Sequence, residues 1–370
     1  MEGFQQIVST LQSIAEPAAL ATLVRVKGSS YRQPGARMVY GPEGIRSGVV
    51  SAGCLETDIL ARMGEVLNGR GAHLAPYDLG SDLDLVWGTG MGCQGRADVL
   101  LERVEPGRLP AWVDRCSAIL EQRGAGALAT VFAARGETGG LGPGDHFLLA
   151  GAGSDLRPQP GPFAGLLESV LDKVVGSGVL ATPTLKAGTG ELDLLVEPVL
   201  PSYAIWIYGA GEHARPIARL AKDLGWFVGI VDHRPAMATP ERFPWADRIV
   251  VGHPPDSLRG LPLDRRSAAL VVSHVYEKDR QALAALLTSP LAYLGLQGNR
   301  MRSRRLLKDL GEGGQSLTDE QRRKLHCPAG LDIGAESPEA IALSMLAEVQ
   351  AALAGHTGGP LRDRAGTIHN

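Results

Sequence analysis

The stretch AIWIYGAGEHARPIARLAKDLGWFVGIVDHR (204–234) decides the reading of this chain. AIWIY is short and apolar throughout, as a strand buried on both faces of a parallel sheet must be. After it, Gly209 permits a tight turn and Gly211 lets a pyrophosphate approach the backbone. Ala214 is small enough for close helix–strand packing at the third motif position. The helix EHARPIARLAKDLG, closed by Gly225, offers free N–H groups to a phosphate at its start. A second strand ends at Asp232, about 20 residues beyond the loop, where an acidic side chain commonly bonds a ribose hydroxyl. His233 and Arg234 beside it can meet an adenine ring or a phosphate. Three more strands follow in DRIVVG (247–252), SAALVVSH (267–274) and AYLGLQG (292–298), with the helix DRQALAALLTS before the last. Strands alternating with helices imply a parallel sheet covered on both faces, a Rossmann-like α/β domain over 201–356. His274 and Asp279, in SHVYEKD at a strand's carboxyl end, stand where such sheets bind ligands. A Rossmann fold whose loop serves only packing is the alternative.

Upstream, the apolar residues Phe4, Ile7, Val8, Leu11 and Ile14 recur at helical spacing and stop at Pro17. ALATLVRV (19–26) reads as a strand and MVYGPEGIRSGVV (38–50) as a hairpin around Gly41–Gly44. Ile59, Met63, Val66 and Leu67 mark a helix closed by Gly69. A glycine-rich loop, WGTGMGCQG (87–95), precedes the strand ADVLLERV (97–104). The next hundred residues repeat the pattern faintly. ALAT recurs at 127–130, FAGLLESVLDKVVGSG (163–178) echoes the helix before Gly69, and LDLLVEP (192–198) echoes DVLLERVEP. On this reading FLLAGAG (147–153) matches VVSAG (49–53), and Gly151-Ala152-Gly153 is a turn rather than a second phosphate loop. Residues 1–200 are thus expected to form an α/β domain duplicated as 1–105 and 106–200, chance likeness of alternating elements being the rival account. Residues 357–370 are expected to be a flexible tail.

The chain of 370 residues has 37 Lys+Arg against 40 Asp+Glu, a net charge of −3. That balance gives no reason to expect nucleic acid or an anionic membrane as a partner. The amino terminus does not read as a signal peptide, and no apolar run is long enough for a membrane span. Cys54, Cys93, Cys116 and Cys327 lie far apart without a CxxC pair, which favours a reduced, cytoplasmic protein over a disulfide scaffold.

Six stretches together resemble the XdhC/CoxI family, accessory proteins for xanthine dehydrogenase and related molybdenum hydroxylases. They are GSSYRQPGARMVY (28–40), SAGCLETDIL (51–60), WGTGMGCQG (87–95), IYGAGEHARPIARLAKDLGW (207–226), VDHRPAMATPERFPWAD (231–247) and CPAGLDIGAESPEAIALSMLAE (327–348). The resemblance implies a chaperone and insertion factor rather than a metabolic enzyme. Such a protein binds the molybdenum cofactor, a molybdopterin, supports its sulfuration and delivers it to a xanthine dehydrogenase-type hydroxylase. The partners implied are that hydroxylase and a cysteine desulfurase, with a homodimer as a further expectation.

Cys54 stands at the mouth of a helix, where the dipole favours a thiolate, a good ligand for soft metals and a good sulfur carrier. A small buried cysteine in a turn is the bland reading. Glu56 would cap free N–H groups or accept a proton. Cys93, framed by Gly88, Gly90, Gly92 and Gly95, is a second soft ligand in a loop able to close around a pterin. Cys54 and Cys93 are therefore the metal-binding candidates, and Gly209, Gly211, Ala214, Asp232 and His274 join them and Glu56 as cofactor contacts. Cys116 falls on an apolar helix face and reads as core. Arg32, Gln33 and Arg37 around Pro34-Gly35 would grip an anion or remain solvated. The basic run Arg300–Lys308 would attract a phosphate or form a solvated face. An NAD(P)-dependent oxidoreductase and a nucleotide-sensing interaction module are the competing functions. The oxidoreductase lacks a Tyr-Lys, Ser-His or bound-metal constellation in this sequence to supply its chemistry.

Overall fold

The computed structural model describes residues 3–28, 32–51, 56–69, 71–78, 95–150, 153–155, 160–312 and 317–365. The chain divides into two compact units, Met1–Pro201 and Ser202–Asn370.

The first unit is built twice on one plan. Helix α1 (Phe4–Gln12) leads into β1 (Ala18–Gly28), β2 (Arg37–Gly41) and β3 (Gly44–Gly48), then α2 (Glu56–Leu67), β4 (His73–Asp78) and β5 (Gly95–Val104). Helix α3 (Ala111–Glu121) reopens the series with β6 (Gly126–Arg135), β7 (His146–Ala150) and β8 (Gly153–Asp155). It continues with α4 (Ala164–Ser177), β9 (Thr184–Ala187) and β10 (Gly190–Val199). The sheets have the orders β3-β2-β1-β5-β4 and β8-β7-β6-β10-β9, antiparallel throughout. Their registers agree as well. Leu20 faces Glu102 as Leu128 faces Glu197, and a bulge skips Val24 in β1 and Phe132 in β6.

Alternation explains the packing. Ala19, Ala21 and Leu23 join the core that Ile59, Met63 and Val66 of α2 complete. Leu167, Leu171 and Val174 of α4 do the same for the second sheet. The opposite faces meet one another: Leu20, Val39 and Val104 pack with Leu128, Leu148 and Val199, roofed by α1 and α3. The bulge residues Val24 and Phe132 extend that shared core together with Leu100 and Leu195.

One expected match does not hold. FLLAGAG does not correspond to VVSAG; β7 and β8 form a hairpin in which Ala150 faces Gly153, as Gly41 faces Gly44 in the first repeat. Small residues at a hairpin and at a strand end look alike in sequence, whereas hydrogen-bonded pairing separates them. The repeats also differ: residues 79–94 connect β4 to β5, but only Gly188-Thr189 connect β9 to β10.

The second unit is a six-stranded parallel sheet, β13-β12-β11-β14-β15-β16. Its strands are β11 (Ala204–Tyr208), β12 (Phe227–Asp232), β13 (Arg248–Val251), β14 (Ser267–Val271), β15 (Tyr293–Leu296) and the two-residue β16 (Leu325–His326), which the sequence reading missed. Helices α5 (Ala214–Asp223) and α9 (Pro338–Leu353) cover one face. Helices α6 (Tyr276–Leu287) and α7 (Arg300–Glu312) lie on the other, and α8 (Asp319–Lys324) precedes β16. Ser337 caps α9 by accepting the Ala340 N–H at 3.2 Å, with Pro338 in the first turn. Residues 357–365 carry a short 3₁₀ turn at Leu361–Asp363, and no helix among the described residues is long and apolar enough to cross a membrane.

Candidate functional site

The strand order of the second unit reverses between β11 and β14, and the glycine loop lies at that switch point. Gly209 has φ +113°, and a Cβ there would stand 2.5 Å from the Ser273 nitrogen, so no other residue fits without a shift. A Cβ on Gly211 would meet nothing within 4 Å, so the space above it is open. Ala214, fully buried, opens α5 against the sheet, and no side chain caps the helix start.

Asp232 is fully buried at the end of β12. Its carboxylate accepts from the Ala210 N–H (2.6 Å), the Arg234 N–H (2.8 Å) and the Arg234 guanidinium (2.9 and 3.0 Å). Burial alone would raise its pKa, but these bonds outweigh it and hold the group below the usual carboxylate range. A ribose hydroxyl would have to displace Arg234 to reach it. Asp279, also fully buried, is engaged in the same way by the Ser273 hydroxyl and by Arg302 at 2.5 Å. Arg302, read in sequence as part of a basic patch, therefore serves the fold.

His274 has φ +61°, rare for a residue with a side chain, and its ring centroid lies 5.6 Å from that of His213. Desolvation and then His213 push its pKa below the ordinary histidine value, so the imidazole is neutral at neutral pH. The Tyr208 hydroxyl and the His213 Nδ1 are buried without a hydrogen-bond partner among the described residues. Gly211, the start of α5, His213 and His274 thus form a polar, open rim able to receive an anionic group.

In the first unit, the ends of β1, β3 and β4 and the starts of β2 and β5 share one end of the first sheet. The connections 28–37 and 78–95 leave and return there, and 48–56 leaves from there for α2. Cys54 belongs to 48–56 and Cys93 to 78–95, and both lie outside the described residues. Glu56 is the first residue of α2 and half-buried. Arg37 is not available to grip an anion: it is 5% exposed and paired with Glu197 of β10. Cys116 is core, its thiol pushed up to about 12 by burial and then by Glu197. Among the described residues no group of three or more His, Cys, Asp or Glu side chains is placed to hold a metal.

Sequence reasoning missed an ionic network on two buried aspartates beside these connections. Arg25 donates to Asp98 (2.7 Å) and to Asp193 (3.3 Å), linking β1 to β5 and to β10 of the other repeat. Asp193 also accepts from Arg135 and from Thr184, bonds that outweigh the desolvation raising its pKa. Aligning DVLLERV with DLLVEPV would have flagged Asp98 with Asp193 and Glu102 with Glu197.

The XdhC Rossmann domain model matches residues 205–349, and that of the XdhC and CoxI family matches residues 12–78. A Bacillus subtilis (strain 168) protein, described by its name as one of the probable subunits of xanthine dehydrogenase, is 31% identical over 349 residues, covering 94% of this chain and 97% of its own. The chain belongs to the XdhC and CoxI family. Another relative is the Escherichia coli (strain K12) protein named "Molybdenum cofactor insertion chaperone PaoD", 24% identical over 90% of this chain and 82% of its own. The fold is shared with a crystal structure described as a xanthine dehydrogenase from Bacillus halodurans, with TM-score 0.75, 26% identity and 98% of both chains covered. The family's Rossmann model spans the glycine loop, Asp232 and His274, and its other model spans Cys54 and Glu56.

Proposed function

We propose that this protein binds the molybdenum cofactor, supports its sulfuration with sulfur from a cysteine desulfurase, and delivers it to a xanthine dehydrogenase-type hydroxylase. The observation carrying this reading is the convergence of the 28–37, 48–56 and 78–95 connections on one sheet end, two of them bearing Cys54 and Cys93. The second repeat closes the counterpart of 78–95 with Gly188-Thr189, so this long connection belongs to the first repeat. The names carried by the B. subtilis and E. coli relatives support the same direction.

In this reading Cys54 and Cys93 supply soft sulfur ligands for molybdenum or carry the transferred sulfur. Glu56 handles a proton or caps the helix start. Within the second unit, Gly209 shapes the loop, Ala214 packs its helix, and Gly211, His213 and His274 form a rim suited to an anionic group. Asp232 holds that loop in shape. Its engagement by Arg234 weighs against ribose recognition of the NAD type by this carboxylate.

The test is to mix purified protein with molybdopterin and measure binding, then reconstitute apo-hydroxylase with wild type and with Cys54→Ala or Cys93→Ala. Binding by wild type and loss of maturation in the variants is expected. No binding, or full maturation by both variants, sinks the assignment.

A further inference from the structure

Each repeat of the first unit carries a glycine turn between its first two strands, and the two turns are built alike. Gly35 has φ +94° and donates to Leu23 O at 2.8 Å, while Leu23 donates back to Ala36 O at 2.8 Å. Gly144 has φ +92° and donates to Val131 O at 2.9 Å, while Val131 donates back to Asp145 O at 2.9 Å. Each turn is supported from beneath by a buried glutamate of the other repeat. Glu197 of β10 lies under Gly35, with Oε2 3.3 Å from where a Cβ would be. Glu102 of β5 lies under Gly144, the corresponding distance being 3.5 Å. The glutamates also clamp the residue that starts the following strand. Arg37 donates both terminal nitrogens to Glu197 and one of them to Gly35 O at 3.2 Å. His146 places Nε2 2.8 Å from Glu102, with Thr130 3.1 Å from Nδ1. The exchange is reciprocal, but its consequences are unequal, because the Gly35 turn belongs to the loop-bearing repeat and the Gly144 turn does not.

We infer that Glu197 is a positioning residue for the cofactor site: through Arg37 and Gly35, the second repeat holds the 32–37 turn of the first in its binding conformation. The inference rests on the proposed cofactor role of the first repeat. It gives the second repeat, which lacks the long loop, a task other than filling space. The Arg37 guanidinium lies 5.0 Å from the Phe4 ring and 5.9 Å from the Trp112 ring, so it cannot swing out to touch ligand itself.

The mirror pair provides the control. Glu197→Gln and Glu102→Gln each remove one buried charge at matching places in the two repeats. Amide exchange and molybdopterin affinity are measured on both full-length variants. With Glu197→Gln, exchange at Gly35 and Leu23 is expected to rise and affinity to fall about tenfold, the equivalent of one charge-assisted bond. With Glu102→Gln, exchange is expected to rise at Gly144 and Val131, with affinity within about twofold of wild type. Glu197→Asp, which keeps the charge but shortens the reach, is expected to be intermediate and serves if Glu197→Gln does not fold. Equal loss of affinity in the two repeats' variants, or unchanged exchange at Gly35, overturns the inference. If wild type itself binds no molybdopterin, the proposed function fails, while the exchange pattern still decides whether Glu197 governs the turn.

Discussion

The backbone N–H of Ala210, inside the glycine loop, donates to the buried carboxylate of Asp232 at 2.6 Å. This bond ties the phosphate-type loop to the end of the neighbouring strand, and Arg234 completes the coordination of the acid. Asp232→Ala would leave the buried Ala210 N–H without its partner, while Arg234, 41% exposed, can turn to solvent, a loss of about 1–3 kcal/mol. Asp232→Asn keeps one acceptor and is expected to cost less. Denaturant unfolding checks both. A small effect of Asp232→Ala on stability, with a large one on ligand affinity, would return this residue to a direct binding role.

The two loop glycines should separate fold from ligand. Gly209→Ala forces a methyl group against the Ser273 backbone at a positive φ and is expected to cost about 3 kcal/mol or more. Gly211→Ala enters open space and should change stability by no more than about 0.5 kcal/mol. The added methyl nevertheless stands where an anionic group must approach the backbone. Molybdopterin affinity is therefore expected to fall about tenfold at unchanged melting temperature. Unaltered affinity would remove the loop from the contact surface.

How much of this was legible before the structure depended on the range of the signal. Gly209, Gly211, Ala214 and the five strands from 204 to 296 follow from period and punctuation, both local properties of the chain. The two-residue β16 has no periodicity of its own and exists because Leu325 and His326 pair with β15. Asp232 was found at the right spacing, but spacing does not reveal that Arg234 folds back onto it. Arg37 read as a loop cation because its partner Glu197 is remote in sequence and meets it only when the repeats pack. The repeated strand plan was hinted at by ALAT, yet FLLAGAG was misaligned, since hairpin registry is a hydrogen-bonding property.

Acid stability should depend on Glu348. Its carboxylate accepts from Tyr293 O–H (2.6 Å) and Gly330 N–H (2.7 Å) and lies 3.0 Å from His326 Nδ1, binding α9 to β15 and β16. Burial would raise its pKa, but these bonds prevail and hold it at about 2. A carboxylate whose folded pKa is depressed contributes stability above its unfolded pKa, about 4.3, and loses it as pH falls through the folded value. Between about pH 4 and 2 the wild type should therefore lose on the order of 2–3 kcal/mol at this group. Glu348→Gln is expected to be less stable at pH 7 and to show a shallower acid limb in denaturant titrations. An unchanged acid limb would place the acid sensitivity elsewhere.

His274 offers a test in which backbone and side chain can be separated. Its φ of +61° costs a residue with a Cβ about 1 kcal/mol, a cost glycine does not carry. His274→Gly and His274→Ala both remove the imidazole, but only the first removes the strain. His274→Gly should therefore be more stable than His274→Ala by about 1 kcal/mol, less the extra chain entropy of glycine. If the ring faces the anionic ligand, both variants should lose affinity equally. The pH dependence has a definite sign. Desolvation, His213 and Arg302 depress the folded pKa more than Asp279 raises it, so below about pH 6.5 the unfolded chain binds the proton more readily. The His274 contribution to stability is then lost as pH falls, and either variant should flatten that part of the curve. Equal stability of the Gly and Ala variants would mean that the positive φ carries no strain. Affinity retained by both would mean that this ring lies off the ligand's path.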